Sequence, residues 1–392
     1  MTTVLSLFAT LAVTCQNVYS LSPSTSDQNH PQESSPMSDY LVYIGTYAKA
    51  DEPGIHVYRL DMSSGALSSV SSIDGIDAPS FVAIAPDHRH LYAIGETSEV
   101  NGTPGGAVAA FSIDPQTGAL AHINTQSSIG GGPCHIDIDP TGRYAFVANY
   151  GGGSVAVLPI NADGSLGEAT DFVQHEGSSI DPARQKEPHA HSFFVAPNGK
   201  YALAPDLGLD KIMVYAIDHD SGKLTAQEPG RVEPGQGPRH LAYHPSNGRL
   251  YVINEMGNTI TAFDFDQDSG AMTRGQTIST LPDGYAETSH TADIHVHPNG
   301  KFVYGSNRGH DSIAVYAVLD NGDLETIEIV PTGGQGPRNF GLDPTGAYLI
   351  VGGGGSNDII TFSVDSDSGK LTPTGHRVEV PSPVCHKFVP AP

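Results

Sequence analysis

From Tyr40 onward the chain alternates apolar and polar residues in short runs, each broken by a cluster of Gly, Pro, Asn or Asp. A period of two sends successive side chains to opposite faces of an extended strand, so each run predicts a β-strand and each break a turn. The stretch from His189 to Asp206 gives the unit: an apolar run through Phe193 and Val195, a Pro197-Asn-Gly199 turn, and a second run ending on Asp206. Folded as a hairpin, it brings His191 and Asp206 to one end. No stretch of helical period competes.

The unit repeats. Aligning the turn prolines gives Pro86, Pro140, Pro197, Pro245, Pro298, Pro344 and Pro390, at intervals of 54, 57, 48, 53, 46 and 46 residues. A second series marks another hairpin at Gly65, Gly118, Gly164, Gly222, Gly270, Gly322 and Gly369. Both series have seven members. A lone four-stranded antiparallel sheet cannot bury both faces, whereas seven set radially bury each face against a neighbour. The expected fold is therefore all-β, a seven-bladed β-propeller of four-stranded antiparallel blades. The last repeat supplies only an innermost strand, Cys385 to Pro390, while Tyr40 to Tyr47 and Gly54 to Leu60 resemble second and third strands. One blade is expected to be closed by both termini, which removes two exposed edges.

Residues 1–38 stand outside the repeat: a short apolar run, Val4 to Val13, then a Ser/Thr/Pro/Asn-rich tract. The domain division expected is 1–38 as a leader or disordered tail and 39–392 as the propeller. The apolar run is too short to span a membrane and no basic residue precedes it, so the cytoplasm is the expected compartment, with a cleaved leader as the alternative. No membrane partner is expected, and oligomeric state is not readable.

The formal charge of −24, from 43 acidic and 19 basic residues, argues against nucleic acid as a partner but not against a small anion, since a few converging arginines can dominate locally. Most aspartates, including Asp139, Asp343 and Asp365, are expected to be solvated turn residues. Cys15, Cys134 and Cys385 form neither a disulfide framework nor a zinc pattern. The glycine runs Gly151–Gly153 and Gly352–Gly355 lack the strand-to-helix context of a dinucleotide loop. Neither cofactor nor metal is expected.

In a propeller, residues just before each innermost strand and residues in the loop between second and third strands emerge on one face around the channel. The first set holds His135, His189, His191, Arg239, His240, His290, His295, Arg338 and Asn339; the second holds Glu96, Asn149, Tyr150, Asp206, Asp210, Asn254, Glu255, Asn307 and Arg308. So much ionisable chemistry on one opening points to a small-molecule site. His191 and Glu255 are the candidate acid and base, the bland alternative being a hydrogen bond that fixes adjacent blades. Arg239 and Arg308 suit an oxyanion, carboxylate or phosphate, because guanidinium is a permanently charged fork. Arg184, on a long inserted loop, could reach the same mouth, and Arg338 repeats the position of Arg239. His189, Asp206, His240 and His295 complete the candidate substrate-binding set. His189, His191, His240 and His295 could approach a metal, but no HExxH pair accompanies them.

The phrases Tyr43-Ile-Gly-Thr-Tyr47, Asn149-Tyr-Gly-Gly-Gly-Ser154, Pro188-His-Ala-His-Ser192, Asp206-Leu-Gly-Leu-Asp-Lys211, Gly237-Pro-Arg-His240, Asn254-Glu255, Ala292-Asp-Ile-His295 and Ser306-Asn-Arg-Gly-His310 together resemble the propeller-type 6-phosphogluconolactonase family, related to fungal carboxymuconate-lactonising enzymes. The resemblance runs from about Tyr40 to Pro390. It implies that His191, Arg239, Glu255 and Arg308 are catalytic and that the substrate is a small anionic lactone, 6-phosphoglucono-1,5-lactone. Which of His191 and Glu255 is the base is left open. Carboxymuconate cycloisomerisation, hydrolysis of another sugar lactone, and a non-enzymatic interaction module are the alternatives.

Overall fold

The computed structural model describes residues 38–392 apart from positions 101 and 247, so the expected leader lies, but for its last residue, outside the described residues. Seven antiparallel sheets stand radially around a channel. Blade 1 is Phe81–Ile84, His90–Gly95, Ala107–Ile113 and Leu120–Ser127. Blades 2 to 6 follow in chain order, with innermost strands Pro133–Ile138, Phe194–Val195, Pro238–Tyr243, His290–Val296 and Pro337–Leu342. Blade 7 takes its innermost strand, Pro383–Pro390, from the C-terminus and its other three, Tyr40–Thr46, Ile55–Leu60 and Leu67–Ile73, from the N-terminal side. Pro383–Pro390 packs against Phe81–Ile84 and closes the ring.

Second strands are buried on both faces, as in Tyr144–Asn149, while outermost strands such as Leu67–Ile73 alternate toward solvent. That difference follows from position: a middle strand is sandwiched between two neighbouring blades, and each fully buried Val or Ile there contributes about 1.5–3 kcal/mol. The described residues contain no helix long and apolar enough to cross a membrane.

Two features set the blades against one another. The seven marker glycines all adopt φ between 69° and 82°, a left-handed turn that side chains disfavour. Tyrosine hydroxyls from the preceding blade donate to these outer hairpins: Tyr43 to Gly118 O, Tyr92 to Gly164 O, Tyr251 to Gly322 O and Tyr304 to Gly369 O. Tyr144 and Tyr201 do the same to His219 O and Asp268 O. Between blades 6 and 7 the Tyr348 ring instead occupies the space a Cβ on Gly65 would need.

The expectation of solvated turn aspartates holds for Asp365 and fails for Asp139 and Asp343, both of which are buried. Asp139 accepts from the amides of Thr141, Arg143 and Tyr144, and Asp343 from those of Thr345 and Tyr348. Each carboxylate thus satisfies turn amides that the neighbouring blade cuts off from water.

Blade 3 departs from the pattern. Its innermost strand is short, and above it only Ala190 bridges to Asp206. The Asp206 carboxylate takes over there, accepting from the His189 amide at 2.8 Å and the Gly208 amide at 3.0 Å. Gly208 is required by the close approach of this segment, since a Cβ on it would lie 2.0 Å from Glu187 O.

Candidate active site

The register of the inner hairpins fixes which side chains reach the mouth. Pro133 pairs with Asn149, Pro238 with Asn254 and Pro337 with Gly353, and in each case the register slips at the next residue. Cys134, Arg239 and Arg338 are the extra residues of these bulges. A bulge re-aims a side chain that regular pairing would send into the sheet interface, which is how two arginines come to point at the channel. Glu255 immediately follows Asn254, the last residue of its second strand, and Arg308 ends the second strand of blade 5 opposite His290.

Glu255 is the centre of the constellation. Its Oε1 accepts from Arg184 Nη2 at 2.8 Å, and its Oε2 lies 3.1 Å from Arg239 Nε and 2.9 Å from Arg308 Nη2. His191 Nε2 is 3.8 Å from the same Oε2. Arg239 is 2 % exposed and also donates through Nη1 to Ala292 O and His240 Nε2. Arg308 donates to Thr291 O. Arg338 lies 5.7 Å over the Tyr47 ring, and Tyr47 donates to Glu96, which also takes the Ser80 hydroxyl.

The charges follow from these contacts. Burial alone would raise the Glu255 carboxyl, but Arg308, Arg239 and Arg184 outweigh it and hold it well below its ordinary value. Burial, then Arg239 and His240, push His191 well below its usual value, so its imidazole is neutral at pH 7. Burial and the neighbouring Arg338 and Arg308 bring Arg239 down to about 9, still protonated at neutrality. The mouth therefore sets four guanidiniums against the carboxylates of Glu255 and Glu96, a local excess of positive charge on a chain of net charge −24.

Beneath the mouth lies a hydrogen-bonded layer. Arg239 can only donate, so His240 Nε2 accepts and its Nδ1–H donates to Asp293 Oδ1 at 2.8 Å. His295 donates to Asp293 Oδ2 at 3.1 Å, and Asn339 binds the same oxygen. Burial and Arg239 bring His240 down to about 4. A cavity of about 260 Å³, lined by Phe81, Phe194, Tyr243, His295 and Lys387 among others, opens below this layer. No group of three His, Cys, Asp or Glu among the described residues is arranged to hold a metal ion.

A family model described as lactonase, 7-bladed beta-propeller, matches residues 41–388. The chain belongs to this lactonase family. It is 36 % identical over 354 residues to a 6-phosphogluconolactonase of Bacillus subtilis, covering 90 % of this chain and 99 % of that protein. A 6-phosphogluconolactonase of Formosa agariphila is 33 % identical over 344 residues, covering 84 % of this chain and 94 % of that one. Among solved structures, the periplasmic gluconolactonase of Pseudomonas aeruginosa superposes with a TM-score of 0.84 at 32 % identity, covering 91 % of this chain and all of that one.

In this lactonase the sequence-derived candidates fall into three groups. His191, Glu255, Arg239, Arg308 and Arg184 converge within direct contact, and Arg338 and His240 flank them. His189 lies at the edge, its ring stacked 4.6 Å from Tyr150 and its Nδ1 on Tyr150 O. Two candidates point elsewhere. Asp206 is fully buried between blades, bound to His175 Nδ1 at 2.6 Å, because its oxygens are taken by loop amides and that histidine. His295 faces the lower cavity, three residues further down its strand than the mouth allows.

Two residues of the lactonase site, Tyr47 and Asp293, are absent from the candidates read from the sequence, and a third, Tyr150, stands there on the rim without a role. Tyr150 accepts from Arg184 Nη2 at 3.1 Å, Tyr47 underlies Arg338, and Asp293 orients His240. Tyr47 and Asp293 stand inside the phrases that carry the family resemblance, and Tyr150 beside Asn149 on the rim; the signal was present, but their partners lie on other blades.

Proposed function

We propose that this lactonase hydrolyses 6-phospho-D-glucono-1,5-lactone to 6-phosphogluconate. The observation that carries the reading is Glu255 held among three guanidiniums with a neutral His191 at 3.8 Å. A water touching both His191 Nε2 and Glu255 Oε2 attacks the lactone carbonyl and gives its proton to Nε2. Cys134 supports that tautomer: its thiol donates to the His191 carbonyl at 3.1 Å, leaving the sulfur as a weak acceptor 3.7 Å from Nδ1. The Glu255 carboxylate stabilises the imidazolium that forms, and Arg239 and Arg308 stabilise the oxyanion of the tetrahedral intermediate. Collapse breaks the bond from carbonyl carbon to ring oxygen, and the imidazolium returns its proton to that oxygen. The excess of arginine holds the phosphate.

The test compares 6-phosphogluconolactone, unphosphorylated gluconolactone and carboxymuconate, with spontaneous hydrolysis subtracted. Hydrolysis that favours the phosphorylated lactone is expected. Muconate turnover with neither lactone hydrolysed would replace this reading with cycloisomerisation.

A further inference from the structure

The three arginines on Glu255 are held very differently. Arg239 is 2 % exposed and Arg308 21 %, and each is tied to a backbone carbonyl as well. Arg184 is 38 % exposed, and its other partner is a phenol, Tyr150, at the rim. Its backbone, by contrast, is fixed. Asp181 accepts from the Arg184 amide at 2.8 Å, fully buried Gln185 donates to Leu207 O at 2.8 Å, and Ser179 donates to Asp210 Oδ2 at 2.5 Å. Asp210 also receives the amides of Gly235 and Gly237, which tie this loop to the segment leading into Arg239. Any movement of Arg184 is therefore movement of its side chain alone. One carboxylate cannot balance three guanidiniums, so the cluster is built to take a further anion, and Arg184 is the member free to turn toward it.

We propose that Arg184 is a removable clamp, holding Glu255 Oε1 in the free protein and leaving it for the dianionic phosphate of the substrate. The inference rests on the proposed lactonase reaction and adds what triggers it. While Arg184 sits on Glu255, three guanidiniums bear on one carboxylate, and their excess positive charge opposes a cation forming on His191. Once the phosphate draws Arg184 away, that opposition weakens, Glu255 with its two remaining arginines stabilises the imidazolium more, and His191 becomes a better base. A lactone without a dianion leaves the clamp in place. Arg184 is thereby a specificity-determining residue that discriminates by controlling basicity as well as by binding.

The groups around His191 are Glu255, Arg239, Arg338, His240, Cys134 and Tyr150. Removing the Arg184 charge from Glu255 favours the protonated imidazole, so the acid limb of kcat/KM moves to higher pH.

The experiment measures hydrolysis of both gluconolactones by the wild type and R184Q, with phosphite dianion added to the unphosphorylated lactone as a detached trigger. For the wild type, phosphite should stimulate hydrolysis of the unphosphorylated lactone by at least about tenfold, and for R184Q it should not. R184Q should lose roughly 30-fold or more in kcat/KM on the phosphorylated lactone, gain severalfold on the unphosphorylated one, and show the shifted acid limb. Equal losses on both lactones, with phosphite inert on the wild type, would overturn the clamp and leave Arg184 as a structural partner of Glu255. Failure of the wild type to hydrolyse either lactone instead sinks the proposed function. In that event calorimetry with phosphite decides the clamp: at least about tenfold weaker binding by R184Q supports it, and equal binding overturns it.

Discussion

Exchanging Glu255 for Gln keeps the shape of the side chain and removes the one charge on which three arginines converge. Arg239 decides the cost, because at 2 % exposure it cannot turn to water and its remaining acceptors, Ala292 O and His240 Nε2, are uncharged. Removing one partner of a buried ion pair costs about 3–5 kcal/mol. The amide oxygen of Gln keeps one acceptor and Arg184 can hydrate, so the lower end, about 3 kcal/mol, is expected at pH 7. For a propeller of roughly 350 residues that corresponds to a Tm lower by about 4 °C. The deficit also has a pH signature. Glu255 sits well below its ordinary 4.5 in the folded protein, so its ionisation adds stability above 4.5 that fades as pH falls. The gap between wild type and E255Q should be complete at pH 7, begin to close near pH 4.5, and shrink by about 1.4 kcal/mol per pH unit below that. Urea titrations at pH 7, 5 and 3.5 measure it, and added phosphate should raise the Tm of E255Q more than that of the wild type. An E255Q protein as stable as the wild type at pH 7, or a gap unchanged down to pH 3.5, would refute the account of Glu255 as the counterion of a buried arginine.

H191N should lower kcat on the phosphorylated lactone by about 10²- to 10⁴-fold with a small loss of stability, read by steady-state kinetics and thermal melting. D293N should cost about 3 kcal/mol and lower kcat/KM, because it removes the buried charge that fixes His240, and denaturant unfolding beside kinetics checks both. I44A, at a fully buried position in the blade assembled from both ends of the propeller, should cost about 2–5 kcal/mol in urea unfolding. Deleting residues 383–392 should expose the edge of Tyr40–Thr46 and produce association visible by light scattering; a monodisperse, cooperatively folding product would count against that blade as the closure of the ring.

The architecture was legible because each repeat writes its own turn chemistry. The marker glycines need a left-handed φ, and the alternating runs have no amphipathic helix to compete with. The arginine, glutamate and histidine of the mouth were legible for a related reason: sequence order in a propeller fixes which loops share a face. What sequence order leaves open is direction. His295 and His191 both belong to innermost segments, yet pleat and depth send one to the lower cavity and the other to Glu255. Asp206 looked like a mouth residue until the shortened strand of blade 3 left loop amides for it to satisfy. The buried Asp139 and Asp343 were hidden similarly, since a turn aspartate next to a neighbouring blade reads the same in sequence as one facing water.

The tyrosine contacts at the outer hairpins have a consequence at the other end of each blade. Spreading two blades to admit a ligand would break a phenol's grip on the rim of the wheel and, in an unbroken circle, compress the joints on the far side. The aperture is thus a fixed bore, and traffic through it is governed by single side chains turning on rigid stems.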